Sequence, residues 1–295
     1  MDQIETPSGK GAGDENFPVG SWLLPKALRP HVTTFYRFAR GADDIADNPE
    51  LVPDDKLARL DRLAAALRGE TLDDPAAAIA HRMRESLATT GVSARHCLDI
   101  LDAFRQDATM RRYADWDALM GYCARSANPV GRYLLDLHGE DSAGYAASDP
   151  LCSALQIINH LQDAQDDLRS LDRVYLPQDW FAAAGIDASA LDAANSDAPL
   201  RRVFDRCLDG VDDLLVRARP LPIVLRNGRL ALEAAAILSV AHHLAAALRW
   251  RDPIAGRVAQ SRAAFTVHAG AGVLSAAFRR GLARRPHKRA VARNP

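Results

Sequence analysis

The chain has 295 residues, 48% of them hydrophobic and 25% charged, the balance of a soluble globular protein long enough to bury a large core. Its formal charge of -1 is unevenly spread: nine Lys and Arg and no acid follow Asp252, which leaves about -10 on the preceding body and argues against a nucleic-acid binder. Cys97, Cys123, Cys152 and Cys207 lie far apart with no CxxC pair, which argues against zinc and leaves them as small core residues.

Residues 1–15 are polar and Gly-rich, carry Glu5, Asp14 and Glu15, and contain no apolar run of the kind a signal peptide needs; a disordered segment is expected there. From residue 28 to 47 the apolar side chains of Leu28, Val32, Phe35, Tyr36, Ala39 and Ile45 recur at three and four, the spacing of a helix. Pro49 and Pro53 end it. Amphipathic helices follow at 55–68 and 75–89, and after Gly91 at 93–112. Residues 115–138 read as helix with a kink at Asn128–Pro129, residues 139–149 as a loop, and 150–171 as one long helix. Residues 173–177 read as extended, and helices at 198–218, 228–250 and 254–282 complete the chain. The most apolar stretch, 231–248, is interrupted by Glu233, His242 and His243 and reads as a buried core helix. No alternating run is long enough for a sheet. The expectation is an all-α helical bundle: a disordered segment at 1–15, one domain at 16–282, and a basic tail at 283–295.

Two acidic clusters carry the chemistry, Asp43-Asp44-Ile45-Ala46-Asp47 and Asp163-Ala164-Gln165-Asp166-Asp167. Both fall inside expected helices, where residues four apart share a face, so Asp43 projects with Asp47 and Asp163 with Asp167. Like charges at that spacing destabilise a helix, and a divalent cation relieves the repulsion. Mg²⁺ suits such a site, because it takes one or two carboxylates and completes its shell with phosphate oxygens and water. Tyr36 and Arg40 lie seven and three residues before Asp43, and Gln156 and Asn159 seven and four before Asp163. Polar side chains stacked beside carboxylates in this way suggest a lined cavity, and an Arg there suits a phosphate.

The segment from Tyr36 to Asp47 resembles the first aspartate motif of the squalene/phytoene synthase family. Gln156-Ile157-Ile158-Asn159, followed by Asp163, Asp167 and Arg173-Val174-Tyr175-Leu176-Pro177, resembles the second, and Tyr122-Cys123 through Val130-Gly131 the motif between them. The resemblance runs from about Asn16 to Phe278 and implies an isoprenoid synthase-type bundle with a central cavity. It implies Asp43, Asp44, Asp47, Asp163, Asp166 and Asp167 as Mg²⁺ ligands. Asn16, Arg40, Arg173, Tyr175 and Arg257 become substrate contacts. Tyr36, Tyr122, Gln156 and Asn159 become catalytic polar groups near the metals. The forms Asn16-Phe17-Pro18-Val19 and Ser126-Ala127-Asn128-Pro129-Val130-Gly131-Arg132 resemble the bacterial hopanoid-pathway branch, which converts presqualene diphosphate and water to hydroxysqualene and diphosphate without a nicotinamide. Other enzymes of that pathway are then candidate partners. The rivals are a condensing enzyme that joins two prenyl diphosphates and a non-catalytic assembly factor of the same fold; intact aspartate motifs count against the second. Gln162 departs from the family pattern, standing where an Arg is common.

Asp107 with Arg111 and Arg112 reads as a surface ion-pair set, and Tyr113 and Trp116 as packing anchors. The Arg-rich end reads as a solvated tail, with peripheral attachment to an anionic membrane as the sharper alternative. The expected location is the cytoplasm, with the inner face of the membrane as the place for such attachment.

Overall fold

A computed structural model describes residues 23–283, and every described element with repeating hydrogen bonds is helical. Asn16 and nearly all of the basic tail lie outside the described residues.

The first helix, α1 (Arg29–Asp47), presents Val32, Phe35, Phe38, Ala42 and Ile45 to the core. It packs against α2 (Pro53–Arg68), α3 (Ala78–Thr90) and α4 (Arg95–Thr109). The ends are specified locally. Pro53 sits at the start of α2, where its missing N–H costs nothing, and Gly69 (φ 79°) and Gly91 (φ 72°) close α2 and α3 in the left-handed conformation. Next come α5 (Trp116–Ser126), capped by the Asp115 side chain, and α6 (Asn128–Leu137). The break between them at Ala127 is the bend expected from Asn128–Pro129.

The central helix, α7 (Tyr145–Gln162), packs against α5, α6, α10 (Ala198–Ala218) and α12 (Gly228–Trp250). It begins a turn earlier than Pro150 suggests. A 3₁₀ turn capped by Asp141 leads into it, and the Tyr145 hydroxyl donates to Asp136 on α6. The approach of α6 to α7 requires Gly131, since a Cβ there would overlap Ser148 and lie 2.6 Å from the Cys152 sulfur.

The single helix expected over 150–171 is in fact two. α7 ends at Gln162, Asp163 adopts φ -107°, ψ 6°, and α8 (Ala164–Leu171) restarts from it. Two short helices had no clear sequence signal, α9 (Gln178–Ala184) and α11 (Leu221–Val224). The last helix, α13 (Arg262–Ala283), starts eight residues later than expected. The preceding segment is a loop organised by Asp252, whose carboxylate accepts from the Ser196 N–H (2.7 Å) and hydroxyl (2.6 Å) and from the Ile254 N–H (3.0 Å).

α12 is long and apolar enough, by length and composition, to cross a membrane. It packs against α7, α10, α11 and α13, and 56% of its most apolar window is buried, as expected of a core helix. Cys97, Cys123 and Cys207 are buried and Cys152 half-buried, and burial pushes the Cys123 and Cys152 thiols up to about 12. Trp116 stacks on Trp180 at 5.4 Å between ring centroids, the anchoring role expected of it.

Candidate active site

The two aspartate motifs meet through one buried side chain. Arg173 is 2% exposed and lies just past α8. The turn is made by Asp172, the one described non-glycine residue with positive φ (50°), which caps α8 and pairs with Arg112 at 2.7 Å. Arg173 donates to the Asp47 carboxylate (2.9 Å), to the Tyr175 hydroxyl (2.9 Å) and to the Asp107 carbonyl (3.0 Å). Both terminal nitrogens of its guanidinium are engaged within the protein, while the buried Nε has no hydrogen-bond partner and lies 3.8 Å from the Asp107 carboxylate. Arg173 braces the end of α1 and the carbonyl of Asp107 against the segment that follows α8.

Asp107 is the main departure from the sequence reading. It is 2% exposed, not a surface ion-pair partner. Its carboxylate accepts from the Tyr122 hydroxyl (2.6 Å) and the Tyr175 hydroxyl (3.0 Å), and the Arg173 guanidinium lies 3.8 Å away. Burial raises its carboxyl to about 6, while Arg173 and the Tyr122 hydrogen bond hold it down. Tyr122 and Tyr175 are themselves buried, with hydroxyls spent on Asp107. Burial and the Asp107 charge keep both phenols protonated. Tyr113 completes the aromatic packing, 5.4 Å from both rings.

His160 had no sequence signal beyond its place three residues before Asp163. It is buried, stacks on Tyr175 at 3.6 Å, and its Nε2 has no hydrogen-bond partner. Burial, then Arg173, lowers it to about 3, so it is neutral. Lys56 was also missed. It is 5% exposed, and its ammonium donates to the Ala46 carbonyl at 2.7 Å. The last turn of α1, which carries Asp47, is therefore held by a buried cation at its negative end.

Around this frame the remaining candidates take distinct places. Arg40 forks onto Asp43 (2.9 Å) and Asp44 (2.9 Å). Asp44 is 7% exposed and anchors Arg40, whereas Asp43 and Asp47 stay half-buried. Asp163 and Asp167 are half-buried too, and the Asp167 N–H bonds the Asp163 carbonyl at 2.8 Å, so the four-residue spacing survives the helix break. Asp166 is exposed, about 100° around α8 from Asp167. Both acids lie in the first turn of α8, where the helix dipole favours negative charge. Gln162 donates to the Val258 carbonyl and so fixes the loop that carries Arg257, whose guanidinium lies 3.9 Å from Asp163. Tyr36, Gln156 and Asn159 are half-buried. The Gln156 amide has no polar partner among the described residues.

The electrostatics show the strain between neighbouring carboxylates. Burial, then Asp163, then Asp47 raise Asp167 to about 8. Burial and Asp47 likewise push Asp43 well above the usual carboxylate range, against the pull of Arg40. Arg173 joins the two motifs: its N–H donates to the Asp167 carbonyl (3.1 Å) and its guanidinium to the Asp47 carboxylate (2.9 Å), which brings them close together. No group of three His, Cys, Asp or Glu among the described residues encloses a metal unaided. An octahedral cation that takes a few carboxylates and fills its shell with phosphate and water fits this surplus of oxygen donors.

A helical bundle in which two such motifs face each other across a buried Arg defines a class of prenyl diphosphate-processing fold, and the comparisons agree. The squalene/phytoene synthase family model matches residues 11–264, and the chain belongs to that family. It is 42% identical to the hydroxysqualene synthase of Rhodopseudomonas palustris over 96% of both chains. It is 41% identical to that of Zymomonas mobilis, over 87% of this chain and 86% of the other. The phytoene synthase of Pseudescherichia vulneris is 30% identical over 70% of each. Among solved structures, squalene synthase HpnC from Alicyclobacillus acidocaldarius matches with a TM-score of 0.69 and 32% identity, covering 79% of this chain and 87% of that one. A dehydrosqualene synthase with bound ligand shares the fold, with a TM-score of 0.75 at 18% identity.

Proposed function

We propose that this chain is a hydroxysqualene synthase, which converts presqualene diphosphate and water to hydroxysqualene and diphosphate. The observation that carries the reading is the 42% identity over 96% of both chains to an enzyme of that name, against 30% over 70% for a phytoene synthase. The facing carboxylate motifs supply the chemistry it needs.

Asp43, Asp47, Asp163 and Asp167 are the residues that would hold Mg²⁺. The bound metal supplies positive charge against the diphosphate leaving group as its C–O bond breaks. Arg40 and Arg257 orient the diphosphate: Arg40 is pre-aimed by Asp44, and Arg257 is held near Asp163 by the Gln162 tether. The carbon skeleton, left as a cation, rearranges. Water attacks it, its oxygen bonding to carbon and its proton passing to diphosphate or solvent. Gln156 and Asn159 sit a turn or two before Asp163 on α7 and would orient that water; their amides are neutral and resist alkylation better than a carboxylate. The Asp107 carboxylate accepts from two protonated phenols, which keeps its nucleophilic oxygens occupied. The neutral His160 adds no charge to compete.

Incubating the purified protein with presqualene diphosphate and Mg²⁺ should yield hydroxysqualene with no NADPH, and EDTA should stop it. Efficient consumption of two farnesyl diphosphates, with presqualene diphosphate left untouched, would instead make it a condensing enzyme.

A further inference from the structure

One end of the molecule combines exposed apolar side chains with a ring of arginines. The chain from the last turn of α10 through α11 to the first turn of α12 exposes Val216 (51%), Ile223 (52%) and Val224 (52%). Helix α13 runs antiparallel to α12, since His268 stacks on His243 and, one turn on, Gly272 lies against Ala235, and it also packs against α11. It adds Leu274 (73%) and Phe278 (69%), four residues apart and so on one face. Soluble proteins scatter single exposed apolar residues, but a group gathered on adjoining helices marks an interaction surface.

The charges select the partner. Arg219, Arg226, Arg229 and Arg279 are exposed at the same end. Glu140 beneath them accepts from the backbone N–H groups of Arg226 (2.9 Å) and Asn227 (2.6 Å) and also lies 3.8 Å from the Arg226 guanidinium, so this one acid offsets only part of the positive charge. The sequence continues from here into Arg280, Arg284, Arg285, Lys288, Arg289 and Arg293 with no acid. Apolar side chains flanked by arginines match a bilayer whose surface is anionic and whose interior is hydrocarbon. A second copy of this chain would bring the same positive charge to the contact and is disfavoured by it.

We propose that this end, formed by Val216, Ile223, Val224, Leu274 and Phe278, docks on an anionic lipid bilayer, with the arginines at the headgroups. The inference stands on surface chemistry alone. The loop carrying Arg257 lies beyond the opposite end of α12, a helix about 34 Å long, so docking leaves the carboxylates clear of the headgroups.

Cosedimentation of the full chain with vesicles tests it. The probes are phosphatidylcholine alone and phosphatidylcholine with 30% phosphatidylglycerol, compared with the double variant Ile223→Asp/Phe278→Asp. Wild type should bind the anionic vesicles, and bind phosphatidylcholine at least tenfold more weakly. The variant should lose at least tenfold in anionic-vesicle binding while keeping its circular dichroism and melting temperature. Both side chains are exposed, so folding should survive; Leu274→Asp serves as a second variant. Three results overturn the proposal: no anionic-vesicle binding by wild type, undiminished binding by folded variants, or a concentration-dependent dimer that the variants abolish while vesicle binding is unaffected. Turnover of detergent-dispersed presqualene diphosphate should be equal in wild type and variant. Absence of that turnover in both would reject the activity and leave the docking result standing.

Discussion

In the metal-free protein, stability should fall as pH rises from 5.5 to 8.5, and Asp167 should be a main cause. Its carboxyl is raised from 3.8 to about 8 by burial, Asp163 and Asp47. Between those values the folded state holds a proton that the unfolded state has released. Stability from that proton is complete below about pH 4 and is lost as pH climbs through about 8. Linkage sets a ceiling of roughly 6 kcal/mol at about 1.4 kcal/mol per pH unit. Asp167 keeps some contact with solvent and Arg173 opposes the shift, so a loss of about 2 kcal/mol over the range is the expectation. Asp43, raised for similar reasons, contributes with the same sign. Urea denaturation followed by circular dichroism, in EDTA at half-unit pH steps, measures it. Asp167→Asn fixes the uncharged state and should flatten the profile by about that amount. Mg²⁺ should stabilise wild type most at high pH, because its ligands must be ionised, and stabilise the variant far less. Parallel pH profiles for wild type and Asp167→Asn in EDTA would refute the reasoning.

Asp43→Asn or Asp163→Asn should cut kcat by roughly 10²-fold or more with a retained circular dichroism spectrum, since each removes an oxygen donor that acts on the leaving group. Arg173→Met should cost about 3–5 kcal/mol in urea denaturation by leaving Asp47 and Asp107 without their buried counter-charge. Arg173→Lys should recover little of that, because one ammonium cannot reach Asp47, Tyr175 and the Asp107 carbonyl together. Gly131→Ala should lower stability by about 1–3 kcal/mol, read from the urea midpoint, because its methyl group would force α6 away from Ser148 and Cys152 on α7.

Much of the bundle was legible because its helices carry their own boundary signals. The spacing of Val32, Phe35 and Ile45 sets the buried face of α1, and the bounds of α10 and α12 coincide with the apolar periodicity, reinforced by the side-chain caps of Asp197 and Asn227. The paired aspartates were legible for the same reason, since helical spacing decides which carboxylates share a face. The break at Asp163 was not, because the Asp163–Asp167 hydrogen bond keeps a helical spacing across it. Asp107 was misread because its sequence neighbours are polar: Arg105 and Gln106 before it, Arg111 and Arg112 after. Its burial is set by Tyr122, Arg173 and Tyr175, which are 15 to 68 residues away. His160 and Lys56 share that difficulty. A lone polar residue on a helix reads as surface until the elements that cover it are in place.

The central claim is that this chain ionises a prenyl diphosphate and captures the cation with water. Turnover of presqualene diphosphate with Mg²⁺ in ¹⁸O-labelled water, followed by mass spectrometry of the product, tests it most directly. The account predicts an alcohol carrying one solvent-derived ¹⁸O, formed at the same rate with or without NADPH. A hydrocarbon product, or an alcohol whose oxygen comes from the diphosphate ester, would contradict it.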